Sequence, residues 1–211
     1  MLSEIKKISS LLLSVAFSSI GFIASITVTV LAAREVSSNP LFVGFPNAVG
    51  VGGAVLGTRM IYLISKNNSQ LNALAFTFLI GAFGGAIMFY SLIVDSFVLL
   101  LFGAFILGID QSATLQTRYA ASFVASEKFK ATALSLAVWF SVFGSVFGPR
   151  MVGSYSNFFE NIFNSELIVG YVIALVGMLF AASSLFIFTS KKSILRSPSN
   201  LESELNNQNS N

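Results

Sequence analysis

Long apolar runs alternate with short polar breaks along most of the chain. Each run is long enough to cross the roughly 30 Å hydrocarbon core of a bilayer as a helix. The predicted spans are residues 10–33, 41–64, 71–94, 97–119, 130–154 and 167–189. The pattern therefore predicts an all-α membrane protein with six transmembrane helices. It assigns residues 1–9 to a short polar N-terminus, 10–190 to the six-helix domain, and 191–211 to a polar tail that we expect to be disordered.

The composition supports a lipid-embedded chain and removes several classes of function. Charged residues make up 10% of the chain and hydrophobic residues 55%, whereas soluble domains carry about 25% charged residues. Cysteine and histidine are absent, which excludes disulfides, thiol nucleophiles, histidine bases and the common zinc and haem sites. We therefore expect no enzyme activity, no cofactor and no bound metal. The net charge of +3 comes from dispersed basic residues, which is not a nucleic-acid-binding pattern.

Basic residues gather at one end of the predicted helices. The predicted spans place all lysines and arginines on the side of the N-terminus except Arg34 and Arg150. Because basic residues are retained in the cytoplasm, the pattern predicts that both termini are cytoplasmic. The expected location is the cell inner membrane, as a multi-pass protein.

The fourth predicted helix carries the clearest candidate site. At 100° per residue, Asp110, Gln111, Thr114 and Arg118 fall within about 120° of one another on an otherwise apolar helix. Placing an ionisable group at a bilayer centre costs at least about 2.5–3.5 kcal/mol, so an ionisable residue found there is a candidate for a functional role. One interpretation is that this polar stripe lines a substrate or proton pathway, with Asp110 as the proton or cation site and Arg118 as its partner or gate. The other is that Arg118 caps the helix end and Asp110 pairs with it or with water.

The second predicted helix contributes one further candidate for the pathway. Asn47 follows Pro46 directly, near the start of that helix. Its amide could face the same cavity as the polar stripe. Equally, it could hydrogen-bond to backbone groups that the proline leaves free.

The stretch from the fourth into the fifth predicted helix carries a specific motif. Residues 115–149 read LQTRYAASFVASEKFKATALSLAVWFSVFGSVFGP. They resemble, without a gap, the pattern LQxRYAAADLAPPERRGRALSLVxWGGTVGxVLGP of bacterial efflux-type members of the major facilitator superfamily. Within it, Gly144, Gly148 and Pro149 resemble the antiporter signature, which in that family bends and packs the fifth helix. The physical chemistry agrees, since glycines admit a close neighbour and proline kinks a helix.

The resemblance covers about residues 10–189 and implies the N-terminal half of a major facilitator fold, built from two inverted three-helix repeats. It implies a secondary active transporter that lies in the lipid bilayer and moves a small solute by alternating access. We further predict that transport is coupled to protons through Asp110. That family binds its solute between two halves, so a second copy or a separate C-terminal half is the expected partner. The alternative is a truncated or non-transporting membrane subunit that needs a partner half.

Three positions depart from the family's pattern near its cytoplasmic gate. Tyr62 stands where the family carries an Asp after the second helix, and Phe123 where an Asp is usual after the fourth. Ala131 replaces a usual Gly. The family holds its gate with charge pairs, so the resemblance does not extend to the gate chemistry at these positions.

Overall fold

The computed structural model describes residues 2–37, 40–67, 69–163 and 165–189. The six α-helices are α1 (Leu2–Val36), α2 (Phe45–Asn67), α3 (Gln70–Ile93), α4 (Phe97–Val124), α5 (Lys130–Phe163) and α6 (Ile168–Thr189). Short 3-10 helices, Pro40–Phe42 and Glu127–Phe129, precede α2 and α5. All six α-helices are long and apolar enough to cross a membrane. The prediction of an all-α fold with six transmembrane helices is therefore confirmed.

The contacts between helices α1 and α6 show the relative direction of these two helices. Gly21 in the middle of α1 lies against the backbone of Ala174. Ser10, nearer the start of α1, donates a hydrogen bond of 2.7 Å to the carbonyl oxygen of Ser184, nearer the end of α6. The two helices are therefore antiparallel. We call the end of the bundle at which α1 begins the N-terminal face, and the other end the opposite face.

The helix packing repeats itself when the first three helices are exchanged for the last three. Helix α1 packs mainly on α6 and α5, and α4 packs mainly on α3 and α2. Helix α1 also contacts α4, and α3 contacts α6. Exchanging α1 with α4, α2 with α5 and α3 with α6 reproduces this set of contacts. The arrangement is the one that two inverted three-helix repeats require.

Glycines make close helix contacts in both repeats. On α2, Gly53 and Gly57 lie against α4, where a Cβ added to Gly53 would lie 2.9 Å from the carbonyl carbon of Phe105. On α5, Gly144 and Gly148 lie against α1, where a Cβ added to Gly148 would lie 3.0 Å from a backbone oxygen. Small residues let helix backbones approach closely in lipid. The absence of a side chain therefore sets the distance between α2 and α4, and between α5 and α1.

Helix α5 is much longer than predicted. We expected a polar loop over residues 155–166, but α5 continues to Phe163. No proline or glycine interrupts residues 154–163, and phenylalanine rings in this segment pack against other rings. Phe163 packs edge-on against Phe89 of α3, with ring centroids 5.5 Å apart, and stacks on Phe159 at 6.1 Å. The loop prediction was wrong over most of its length, because aromatic packing extends the helix past the apolar run.

Other helix ends differ less, and part of the chain cannot be compared. Helix α1 already begins at Leu2 and α4 runs on to Val124, each beyond its predicted span. The predicted tail at residues 191–211, with its three basic residues, lies outside the described residues.

Candidate functional site

Two cavities lie end to end along the interface between α1 and α4. The first, which we call the distal cavity, lies nearer the opposite face and has a volume of about 200 Å³. The second, the proximal cleft, lies nearer the N-terminal face and has a volume of about 290 Å³. Phe22 of α1 and Gln111 of α4 line both. The two cavities therefore meet at Phe22 and Gln111 and follow one path along the interface.

The distal cavity is largely apolar, with a few polar side chains on three helices. Asn47 of α2, Thr29 of α1 and Gln111 of α4 line it. The hydroxyl of Tyr171 on α6 donates to Thr29 Oγ1 at 3.4 Å, and Thr29 Oγ1 donates to the carbonyl oxygen of Ser25 at 2.7 Å. Thr29 is thus held in place from two sides, whereas Asn47 is exposed at the cavity mouth.

The proximal cleft is lined by four hydroxyl-bearing residues, one amide, one cation and three apolar side chains. Its polar residues are Ser19 of α1, Gln111, Thr114 and Arg118 of α4, and Ser141 and Ser145 of α5. Arg118 is half-buried. Within the described residues, its Nε has no hydrogen-bond partner, and neither has Ser19 Oγ or Thr114 Oγ1. Buried polar groups are normally paired, so three unpaired groups lining one cleft mark it as a candidate binding site.

Asp110 precedes Gln111 but faces a different helix. It is fully buried and lies against Gly81 of α3, where an added Cβ would be 2.7 Å from the carboxyl carbon of Asp110. In the part of the chain that the structure describes, neither of its carboxyl oxygens has a hydrogen-bond partner. Asp110 therefore forms no hydrogen bond with Arg118 in this structure.

The predicted polar stripe of α4 is thus divided between two neighbours. Gln111, Thr114 and Arg118 follow one another at steps of three and four residues, so they share the face that lines the cavities. Asp110 lies 100° away from Gln111 around the helix, which turns its carboxyl group toward α3. Gln111, Thr114 and Arg118 therefore line the path, whereas Asp110 packs against α3 and does not line it.

Sequence reasoning missed the part of the site contributed by α1 and α5. Ser141 and Ser145 are four residues apart in an apolar segment, which is the spacing of one helix face. On α1, Ser19 and Thr29 line the cavities. The buried Ser14, Ser18 and Ser25 recur at steps of four and seven but line neither cavity. That periodicity was the available signal for a polar face turned into the bundle.

Sequence comparison connects this architecture with known proteins. The chain is 30% identical over 183 residues to the uncharacterized MFS-type transporter YddS of Bacillus subtilis (strain 168), a match that covers 87% of this chain and 42% of YddS. It is 29% identical over 175 residues to the uncharacterized MFS-type transporter YdeG of the same organism, covering 83% of this chain and 41% of YdeG. Both matches fall in the N-terminal half of the relative. The chain is homologous to the N-terminal half of major facilitator superfamily transporters.

This homology confirms the family that the sequence motif indicated, and with the six helices it identifies a multi-pass membrane protein. The chain spans about two fifths of the length of these two relatives. No family model matches the chain, and no solved structure matches it significantly.

The gate positions of the major facilitator superfamily carry aromatic side chains here. Tyr62 near the end of α2 and Phe123 near the end of α4 both lie toward the N-terminal face. Their side chains are 61% and 70% exposed. At these two positions the chain therefore presents exposed rings where the family pattern has carboxylates.

Proposed function

We propose that the chain is half of a secondary active transporter that moves a small solute across the bilayer by alternating access. The observation that carries the proposal is the path along the α1–α4 interface, with polar groups at Asn47, Gln111, Thr114 and Arg118. Polar and charged side chains inside a membrane bundle are costly and mark substrate or ion pathways. The two Bacillus subtilis relatives are both described as MFS-type transporters, which supports transport at the level of the family.

A single six-helix half supplies one wall of such a path, so we propose that a second copy or a separate C-terminal half supplies the other. Helices α2 and α5 are the least buried of the six. Helix α2 flanks the distal cavity and α5 flanks the proximal cleft. A partner seated beside α2 and α5 would cover the path along its whole length.

We place the coupling proton on Asp110. A buried carboxylate without a partner is costly, because the charge loses its hydration and no hydrogen bond or opposite charge compensates for that loss. The uncharged acid fits the dry contact with Gly81, whereas the ionised form needs water or a cation. Ionisation would therefore loosen the contact between α3 and α4, and protonation would close it. Gln111, the next residue, would carry that movement to the path.

Transport and proton coupling are tested together in liposomes that contain the purified chain. Under an imposed pH gradient, a transported solute should dissipate the gradient, read with a pH-sensitive dye inside the vesicles. Asp110→Asn keeps the shape of the side chain and should abolish the pH dependence while leaving expression intact. The control is Asp95→Asn, an exposed residue with φ of 48° in the α3–α4 turn, because Asn tolerates that conformation as well as Asp does.

Each outcome of this experiment bears on a separate claim. Unchanged pH dependence in Asp110→Asn would remove Asp110 from the mechanism. The lack of any solute-driven flux, with the chain alone and with a partner half added, would reject transport.

The second candidate is a non-transporting membrane subunit that folds and binds a partner half. The exposed rings of Tyr62 and Phe123 favour it, because aromatic side chains cannot form the charge pairs of a gate. On this hypothesis the chain binds its partner in mild detergent, yet the complex gives no flux. Introducing Asp at both positions would then be expected to change nothing in the flux assay.

A further inference from the structure

Within the described chain, six residues carry a buried side-chain atom without a hydrogen-bond partner, and three of them line the proximal cleft. Most buried Ser and Thr hydroxyls of the bundle donate to a carbonyl three or four residues earlier in their own helix, as Ser141 does to Val138 at 2.6 Å. Ser19 and Thr114 do not, although each is only 4% exposed. With Arg118 Nε they give three buried atoms that the described chain leaves unpaired, and all three belong to residues that line the same cleft.

The charge of the cleft has one sign. Arg118 is the one ionisable residue among those that line it. Asp110, on the same helix, is turned toward Gly81 of α3 and does not line it. An arginine can donate only, and a hydroxyl can donate to an anion. A guanidinium beside two free hydroxyls is a set of groups that matches an oxyanion.

We propose that the proximal cleft binds the carboxylate of a small organic acid, with Arg118 as its charge partner and Ser19 and Thr114 as neutral donors. This inference rests on the proposed function and names the substrate class of that path. The volume of about 290 Å³ lies just below the range of about 300–1,000 Å³ for ligand sites, which suits a small ligand. Phe22, Ile23 and Leu115 complete the lining and suit a short apolar body behind the carboxylate.

A lipid phosphate shares the oxyanion chemistry and is the competing source. Arg118 lies six residues before the end of α4 at Val124, which is about 9 Å along the helix axis. Arginines near helix ends commonly extend to the lipid headgroups. The cleft argues for a solute, because its lining includes buried hydroxyls on α1 and α4 in addition to the arginine.

The test compares benzoate with benzamide, which have the same size and differ in charge. Binding to the full chain in a neutral detergent is measured by calorimetry and by thermal stabilisation, since a ligand that binds the folded state raises its stability. We expect benzoate to bind and benzamide not to. Arg118→Gln should weaken benzoate binding about 10–100-fold, the range for losing a charged hydrogen bond. Arg59→Gln is the matched control, because Arg59 is an exposed cation on α2 that lines neither cavity.

Ser19→Ala and Thr114→Val keep the proposal testable if Arg118→Gln fails to fold. Each should weaken benzoate binding by a smaller factor, about 3–10-fold, because it removes a neutral donor. Equal binding of benzoate and benzamide, or equal losses in Arg118→Gln and Arg59→Gln, would overturn the proposal.

A separate arm identifies a lipid occupant. Nanodiscs with phosphatidylglycerol are compared with nanodiscs of phosphatidylcholine alone. Retention of phosphatidylglycerol that depends on Arg118, without any benzoate binding, would assign the cleft to lipid and overturn the proposal.

The binding experiment measures no flux, so its result can be distinguished from the result of the transport experiment. If benzoate binds but the chain gives no flux, either alone or with a partner half, the carboxylate site stands and the transport proposal is rejected. If a neutral solute gives proton-coupled flux but benzoate does not bind, the transport proposal stands and the carboxylate site is rejected.

Discussion

Replacing Gly53 with alanine tests whether α2 and α4 touch backbone to backbone. The added methyl group would lie 2.9 Å from the carbonyl carbon of Phe105 and 3.3 Å from Cα of Gly108. The carbonyl oxygen of Phe105 would be closer still. These are atoms of a helix backbone and cannot rotate away as a side chain would. Helix α2 would have to move off α4 as a whole.

The magnitude follows from two opposing effects. Overpacking a close contact costs about 1–3 kcal/mol, and separating two packed surfaces by even 0.5–1 Å forfeits a quarter to a half of their dispersion attraction. Replacing glycine by alanine inside a helix gains about 1 kcal/mol. Because the clash at Gly53 is with backbone, we take the upper end of the cost and expect a net loss of about 2 kcal/mol.

The neighbouring glycine provides the control. A Cβ on Gly52 would have no atom within 4 Å. Gly52→Ala should therefore gain the higher helix propensity of alanine without causing a clash. Thermal unfolding in detergent, followed by circular dichroism, should show Gly53→Ala about 4–8 °C below the wild type and Gly52→Ala at or above it. Equal unfolding temperatures for the two variants would mean that α2 and α4 do not approach as closely as described.

Three further predictions follow from other contacts. Gly148→Ala should be less stable than Gly153→Ala by about 1 kcal/mol in the same unfolding assay, because only Gly148 faces a neighbouring backbone. Phe163→Ala removes two aromatic contacts and should lower stability by about 1–2 kcal/mol; no loss would indicate that the end of α5 is not docked on α3. The chain has no cysteine, so single cysteines can be labelled without background. If both termini are cytoplasmic, Ser126→Cys should react with an impermeant maleimide only in inverted vesicles and Glu166→Cys only in intact cells; the reverse result would invert the orientation.

Hydropathy predicted the number and order of the helices because the cost of exposing polar backbone to lipid acts on whole segments. Hydropathy did not predict the helix ends, because a helix can continue beyond the apolar segment that crosses the lipid. Helix α4 continues to Val124 and α5 to Phe163, each past the apolar run. Those extensions depend on side-chain partners in other helices, such as Phe89 for Phe163, which no single segment reveals.

The candidate site could be predicted residue by residue on one helix but not between helices. Helical periodicity grouped Gln111, Thr114 and Arg118, and the structure places all three on the path. It also grouped Asp110 with them, although α3 rather than α1 lies on that side of the helix. Periodicity gives the angle between two side chains, but the position of the neighbouring helices decides what each side chain meets. The proposed roles of all four residues, and of Asn47, stay predictions.

The backbone contacts between glycines have a mechanical consequence for the bundle. Gly50 touches Gly108, so α2 is held tightly to α4, and Gly144 holds α5 to α1 in the same way. Helices α2 and α3 follow one another in the chain yet share little surface. In any motion of the bundle, α2 would therefore move with α4, and α5 with α1. Both pairs contribute to the lining of the cavities, so the glycine contacts hold in place the helices that line the path.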